Sequence, residues 1–290
     1  LFIFTPATVM ITGDKAKVSL EEKRQLAELP ILRPTLASFQ AFPAKFEAYF
    51  NDHFGLRSHF VRLYSQILVT VFRTSPKWLV VIGKEGWLFF AGDHELADFT
   101  GFQHREMETL QRWKQVLEDR RNWLTAQGIH YLFLIPPNKS MIYPEFLPER
   151  IRSRQRLNTL ERFQEVLASD PAFPGNIDLR PVLLAAKEKE LIYHKSDTHW
   201  NAVGGYAAYS AIMTHLGKEL PGLQPLPREE FEEKMGVLQG GDLSLLLNLR
   251  DLYHEPNLIL VPPQSMTPGH WQKVKFETMP PGWHITLGPA

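Results

Sequence analysis

The sequence contains no cysteine. Disulfides, cysteine-ligated zinc and a thiolate nucleophile are therefore excluded. The absence does not fix the compartment, because it fits a bacterial envelope protein as well as a cytosolic one. Net charge is absent too, with 32 Lys+Arg balancing 32 Asp+Glu. No global field draws the chain to nucleic acid or to an acidic surface. There is no basic-aromatic patch, so no nucleic-acid partner is expected. A glycine-rich phosphate loop, a His-Glu-x-x-His run and a Gly-x-Ser-x-Gly elbow are all missing, and no cofactor is expected. No apolar run reaches the roughly 20 residues that span a bilayer. The nearest, Leu1 to Ile11, is interrupted by Thr5-Pro6 and Thr8 and is followed by charged Gly13 to Lys17. Residues 1–19 are read as the remnant of an N-terminal signal anchor and its linker, with a buried strand as the alternative.

What is present is an ordinary globular balance. Of 290 residues, 44% are hydrophobic, enough for a sizeable core. No repeat or composition shift divides residues 20–290, which read as one domain. Aromatics reach 12%, with 7 Trp, and suit a large core or sugar-stacking surfaces. Leu20 to Leu29 reads as a short helix. Phe39, Phe42, Phe46, Tyr49 and Phe50 recur at helical spacing, and so do Phe60, Leu63, Tyr64, Ile67, Leu68 and Val71. These stripes read as the core faces of a helical hairpin, with Pro43 in a first turn. Trp78–Ile82 and Trp87–Phe90 flank Gly83-Lys84-Glu85-Gly86 as a β-hairpin. A long helix over Arg105–Gln127, capped by Gly128, leads into the apolar run Ile129–Ile135. Helix, glycine and buried strand form a unit of an α/β fold. The loop after that strand, Pro136-Pro137-Asn138-Lys139, lies where α/β sheets carry their sites, although turn chemistry alone also explains it. Helices follow over Arg154–Ala168, Val182–Glu190 and Asn201–Leu216, with a strand-like piece at Ile177–Leu179 and another at Leu191–Tyr193. The small residues Gly204, Gly205, Ala207, Ala208 and Ala211 permit close packing behind the segment that precedes them. Beyond Asn257, strand-like runs alternate with Pro and Gly.

That preceding segment is Tyr193-His194-Lys195-Ser196-Asp197-Thr198-His199-Trp200-Asn201. An Asp-x-His pair in a turn before a helix can set a carboxylate behind an imidazole, which is the base half of a nucleophilic triad. Helix capping by Asp197 is the competing reading. A metal reading through His194, Asp197 and His199 matches no trusted spacing. Gly241-Asp242-Leu243-Ser244 has the wrong order for a Gly-Asp-Ser-Leu nucleophile turn, and Asp242 reads as a helix cap.

Five pieces in register resemble the AlgJ/AlgX-type SGNH-hydrolase-like proteins of alginate and other exopolysaccharide O-acetylation. They are Tyr49–Arg57, Ile82–Phe89, Pro136–Lys139, Tyr193–Trp200 and Gly241–Leu243. The resemblance implies a three-layer α/β/α fold with a mostly parallel sheet on the extracytoplasmic side of an inner membrane. It implies transfer of acetyl to polysaccharide hydroxyls beside a membrane-bound O-acyltransferase that supplies the acetyl group. Asp197 and His199 are then the catalytic pair, and Asn138, Lys139, Tyr193 and Trp200 the expected substrate-binding residues. The family's serine follows the Asp-x-His pair. Here Ser210, Ser244 and Ser265 lack its strand-turn setting, so the expectation is a nucleophile beyond residue 290 and an inactive fragment. A non-catalytic carbohydrate-binding or scaffold role in the same export machinery is the alternative.

Overall fold

The computed structural model describes residues 5–12, 17–19, 24–102, 105–169 and 176–263. The first described elements are α1 (Thr5–Thr12), β1 (Val18–Ser19) and β2 (Arg24–Gln25), the two strands pairing antiparallel. Arg24 and Gln25 are therefore extended, where the sequence predicts a helix over 20–29. Arg24 grips Asp52 with both guanidinium nitrogens and Ala27 N–H donates to the same carboxylate, so this segment is tied to the next helix, not coiled on itself.

The helical hairpin forms as α2 (Leu36–His53) and α3 (Arg57–Thr70). Thr35 caps α2 by accepting from Ser38 N–H. Pro43 lies inside α2 and not in its first turn. The connecting turn needs Gly55, because a Cβ there would lie 2.0 Å from the carbonyl oxygen of Pro6. The aromatic stripes are not core faces. Phe39 is 58% exposed and Tyr64 60%, and the buried positions are Tyr49 on α2 with Ser65 and Val69 on α3. The periodicity identifies the helices correctly. It does not say that a helix stripe finds a partner within the described residues.

A β-hairpin follows, β3 (Val80–Ile82) with β4 (Leu88–Phe90), turned through Glu85 in the left-handed region at φ 53°. Then come α4 (Glu95–Phe99), α5 (Met107–Ala126), β5 (Phe133–Leu134), α6 (Lys139–Ile142), α7 (Glu149–Arg152), α8 (Thr159–Ala168), β6 (Asn176–Ile177), α9 (Arg180–Lys187) and α10 (Ala202–Leu216). The capping box of α8 is complete, with Asn158 and Glu161 exchanging side-chain and backbone bonds. Gly128 ends α5 at φ +73°.

The layering is legible in the run before Asn138. Strands β5 and β6 pair in parallel. Tyr131, Phe133 and Ile135 pack against Leu110 and Leu117 of α5 and Phe163 and Leu167 of α8. The alternate residues Leu132 and Leu134 pack against the cluster of Leu183, Val203 and Ala208 from α9 and α10. Side chains of a strand alternate between faces, so α5/α8, β5/β6 and α9/α10 make the three layers of an α/β/α arrangement. The paired stretch is two residues long, shorter than the run suggests, and the other described pairs are antiparallel.

The chain continues into β7 (Glu232–Gln239), α11 (Asp242–Leu246) and β8 (His254–Val261), with β7 and β8 a long antiparallel ribbon. The N-terminal apolar run at 1–4, the linker at 13–16, the end of the Arg154–Ala168 helix at Asp170-Pro171 and the strand-like runs beyond Pro263 lie outside the described residues.

Candidate functional site

The loop of residues 194–201 is fixed at both ends before it reaches its functional side chains. Ile192 N–H donates to the Tyr143 hydroxyl at 3.0 Å, and Asn201 N–H returns to the Ile192 carbonyl at 3.0 Å. Tyr193 and Trp200 form an isolated antiparallel bridge. Asn201 then caps α10, accepting from Val203 and Gly204 N–H. Gly204 lets the helix come this close, since a Cβ there would sit 2.4 Å from the Ile192 carbonyl oxygen.

On this loop Asp197 Oδ1 lies 2.6 Å from His199 Nδ1 and accepts His199 N–H at 2.9 Å. Asp197 Oδ2 accepts Asp242 N–H at 2.9 Å from the start of α11. The carboxylate therefore accepts two amides and orients the imidazole at once, while the helix cap expected of Asp197 is supplied by Asn201. Burial pushes the Asp197 carboxyl up, but the amides of His199 and Asp242 and the imidazole outweigh it and leave it below the usual range. Asp197 is 19% exposed at its side chain and His199 77%. With Nδ1 turned to Asp197, Nε2 is left as the proton-accepting position on the exposed side of the ring.

A second carboxylate was not legible in the sequence. Asp242 Oδ1 accepts Thr198 N–H at 2.8 Å and Oδ2 accepts the Thr198 hydroxyl, whose oxygen is 3.2 Å from His199 Nδ1. Asp242 is thus the first residue of α11 serving the loop, and the helix cap is Gly241. The sequence signals were the placement of an acid after two glycines and the family resemblance of Gly241–Leu243, neither of which assigns Asp242 to the loop. Asp197, His199 and Asp242 are close enough to share a cation. Each of their four carboxylate oxygens already accepts a donor, so a metal would have to displace this network. His194 is not in that cluster. Its Nδ1 is buried with no hydrogen bond among the described residues, 3.9 Å from Glu255.

The expected substrate-binding residues divide. Asn138 is exposed and borders a cavity of about 360 Å³ with Trp113, Arg105, Asp98, Glu95 and His94. Lys139 is not at a substrate surface. Its ammonium is buried and donates to the carbonyls of His194, Lys195 and Asp197. Tyr193 is buried and donates its hydroxyl to the Pro137 carbonyl at 2.7 Å. Trp200 packs against the main core cluster. A polar loop residue after a strand can be exposed or can reach inward, and the sequence does not distinguish the two.

Glu95 faces the back of Lys139's helix and accepts the Ser140 hydroxyl at 2.8 Å. Burial raises its carboxyl to about 7, against the pull of Ser140 and Lys139. A raised carboxyl favours the folded state below pH 4.5, and that advantage is lost as pH rises to 7. Glu95→Gln keeps the acceptor without the charge. At pH 8 it is expected to unfold at a temperature several degrees above the parent, from a gain of up to about 3 kcal/mol, with no difference near pH 4. Thermal melts at the two pH values check this, and equal shifts at both would contradict it.

Residues 80–274 match the family model described as SGNH hydrolase-like domain, acetyltransferase AlgX. A probable alginate O-acetylase AlgJ from Pseudomonas aeruginosa is 27% identical over 237 residues, covering 79% of this chain and 54% of that protein. The alginate biosynthesis protein AlgX from the same organism is 24% identical over 55% of this chain and 32% of that protein. The solved O-acetyltransferase domain of Pseudomonas putida AlgJ overlaps with a TM-score of 0.41 at 22% identity, covering 62% of this chain and 63% of that one. The chain spans about half the length of the AlgJ relative from Pseudomonas aeruginosa. The family match covers more than half of the present sequence, so the chain belongs to the AlgX family of SGNH hydrolase-like acetyltransferase domains.

Proposed function

We propose that this chain carries the base half of an O-acetyltransferase site acting on the hydroxyls of an exopolysaccharide such as alginate. The observation that carries the reading is the Asp197–His199 pair, with Nδ1 held on the carboxylate and the rest of the ring in solvent. His199 Nε2 takes the proton of a serine hydroxyl as its oxygen attacks an acetyl carbonyl. The tetrahedral intermediate collapses, the donor's leaving oxygen takes that proton, and acetyl is left on the serine. A sugar hydroxyl then attacks this ester, His199 again accepting the proton and returning it to the serine. That serine lies outside the described residues. Among those residues no serine hydroxyl hydrogen-bonds His199, and Ser244 is buried with its hydroxyl on the Gly241 carbonyl.

The proposed setting is periplasmic. A polysaccharide would be the acceptor, a membrane-bound O-acyltransferase the acetyl supplier, and an N-terminal anchor the link to the inner membrane. No helix among the described residues is long and apolar enough to cross a membrane. The rival reading is a non-catalytic carbohydrate-binding scaffold of the same machinery.

The deciding experiment gives the full-length gene product an activated acetyl ester and an oligosaccharide and follows sugar-bound acetyl by mass spectrometry. Acetylated oligosaccharide is expected, falling by at least about 10³-fold in His199→Ala. Unchanged transfer in that variant would sink the mechanism, and binding without transfer would favour the scaffold.

A further inference from the structure

We infer that Lys139 and Glu255 are positioning residues, a pair of opposite charges that holds the 194–197 backbone from two sides and thereby sets the Asp197–His199 geometry. The consequence for turnover rests on the acetyl-transfer reading, whereas the geometry does not. The loop's carbonyls converge on one buried cation. Lys139 Nζ donates to His194 O at 3.1 Å, Lys195 O at 3.1 Å and Asp197 O at 2.5 Å, using all three of its protons. Its Nζ also lies over two aromatic rings, 5.6 Å from the Trp87 centroid and 5.4 Å from that of Phe89. The loop's amides converge on one anion. Glu255 Oε2 accepts Lys195 N–H at 2.6 Å, and Oε1 accepts Ser196 N–H at 2.8 Å and the Ser196 hydroxyl.

The two groups come from different parts of the fold. Lys139 opens α6, directly beyond the β5 layer, while Glu255 lies on β8 of the outer ribbon. Two consecutive peptide units, 194–195 and 195–196, each give their carbonyl to Lys139 and their amide to Glu255. Charge-assisted bonds are about twice as strong as neutral ones. Ser196 completes the arrangement, passing its hydroxyl to Glu255 while its oxygen accepts Gly241 N–H at 2.9 Å, which brings α11 against Asp197. Burial draws the Lys139 ammonium down to about 8, against the carboxylates of Glu255, Asp197, Asp242 and Glu95. It is therefore charged at neutral pH, as the three carbonyl acceptors require. Lys139 is buried, and Glu255, although it borders an open cavity, spends both carboxylate oxygens on the loop, so both act through Asp197 and His199.

The absence of cysteine makes a clean test available. Lys139→Cys gives the chain its only thiol. Alkylating it unfolded with 2-bromoethylammonium and refolding restores an ammonium at the reach of lysine, while iodoacetamide leaves a neutral side chain. The readout is the tautomer of neutral His199, taken from the two ring nitrogen-15 shifts and assigned with His199→Gln. The unmodified chain and the aminoethylated form are expected to show Nδ1–H, and the neutral form a majority of Nε2–H. In the full-length gene product kcat should follow, down about 10²-fold in the neutral form at unchanged KM and restored in the cationic one. The same tautomer and kcat in both alkylated forms would overturn the inference. Should neither form refold, Glu255→Gln decides. Its carboxamide has one accepting atom where the carboxylate has two, so it cannot hold both the Lys195 and Ser196 amides in this way; a cooperatively folded variant that keeps Nδ1–H overturns the clamp and one that loses it supports it. A tautomer that shifts while kcat does not leaves the clamp standing and removes the catalytic reading.

Discussion

Asp197→Asn is expected to lower kcat for acetyl transfer by about 10³–10⁴-fold, with KM changed far less. The native carboxylate accepts three protein donors, the His199 amide, His199 Nδ1 and the Asp242 amide. An asparagine offers one acceptor oxygen and a donating NH2. If its oxygen faces His199, the NH2 opposes the Asp242 amide, and α11 moves off. If its oxygen faces Asp242, the NH2 opposes Nδ1, and the imidazole moves its proton to Nε2. A ring protonated at Nε2 cannot take the proton of an attacking hydroxyl, so the second arrangement removes the base, while the first keeps the tautomer but draws Asp242 away from Thr198. The carboxyl of Asp197 lies below its usual range, so it stays ionised throughout the neutral region and does not itself set an acid limb there. Steady-state kinetics with an acetyl ester and an oligosaccharide acceptor, run beside the ring nitrogen-15 shifts, measure both halves of the argument. Retention of a tenth or more of kcat would remove Asp197 from the mechanism.

Much of this site was legible because short-range chemistry dictates it. Asp197 and His199 are two residues apart, and a turn that lets a carboxylate accept its second neighbour's amide also brings that neighbour's ring to the same oxygen. The glycines behind the loop were legible for a similar reason, since Gly204 marks where a helix and a backbone carbonyl meet. The layer arrangement was written in the apolar run ending at Ile135, whose alternate residues face two helical layers. What stayed hidden depends on long loops closing. Glu255 is 60 residues from the backbone it holds, and no spacing rule connects Tyr253-His254-Glu255-Pro256 to Lys195. Lys139 was placed on the correct loop but facing the wrong way. A lysine after a strand is ordinarily solvated, and three inward-facing carbonyls override that preference. The aromatic stripes of α2 and α3 fail as core markers because amphipathicity reports a helix, not what covers it.

Gly241→Ala is expected to disconnect α11 from the site, with a loss of about 10²-fold in kcat and about 1–3 kcal/mol in stability. Conformation is not the obstacle, because Gly241 has φ −91° and ψ −170°, extended backbone open to any residue. Space is. A Cβ would lie 2.4 Å from Asp197 Cβ, 2.6 Å from its Oδ2 and 2.7 Å from its Cα. Two of those atoms belong to the rigid part of Asp197, whose carbonyl is fastened to Lys139. The loop cannot retreat, so the helix start must. Its departure breaks the bonds from Gly241 N–H to Ser196 and from Asp242 N–H to Asp197, and pulls the Asp242 carboxylate away from Thr198. Gly236→Ala in β7 is the matched control, because a Cβ there meets only the Asn257 carbonyl oxygen at an ordinary 3.6 Å. Its melting curve and kcat should stay near those of the parent. Since Gly241→Ala and Asp197→Asn both act on the contact between α11 and the loop, the double variant should be much less impaired than the product of the two single losses. Strict multiplication of the two losses would mean that α11 and the Asp197–His199 pair work independently.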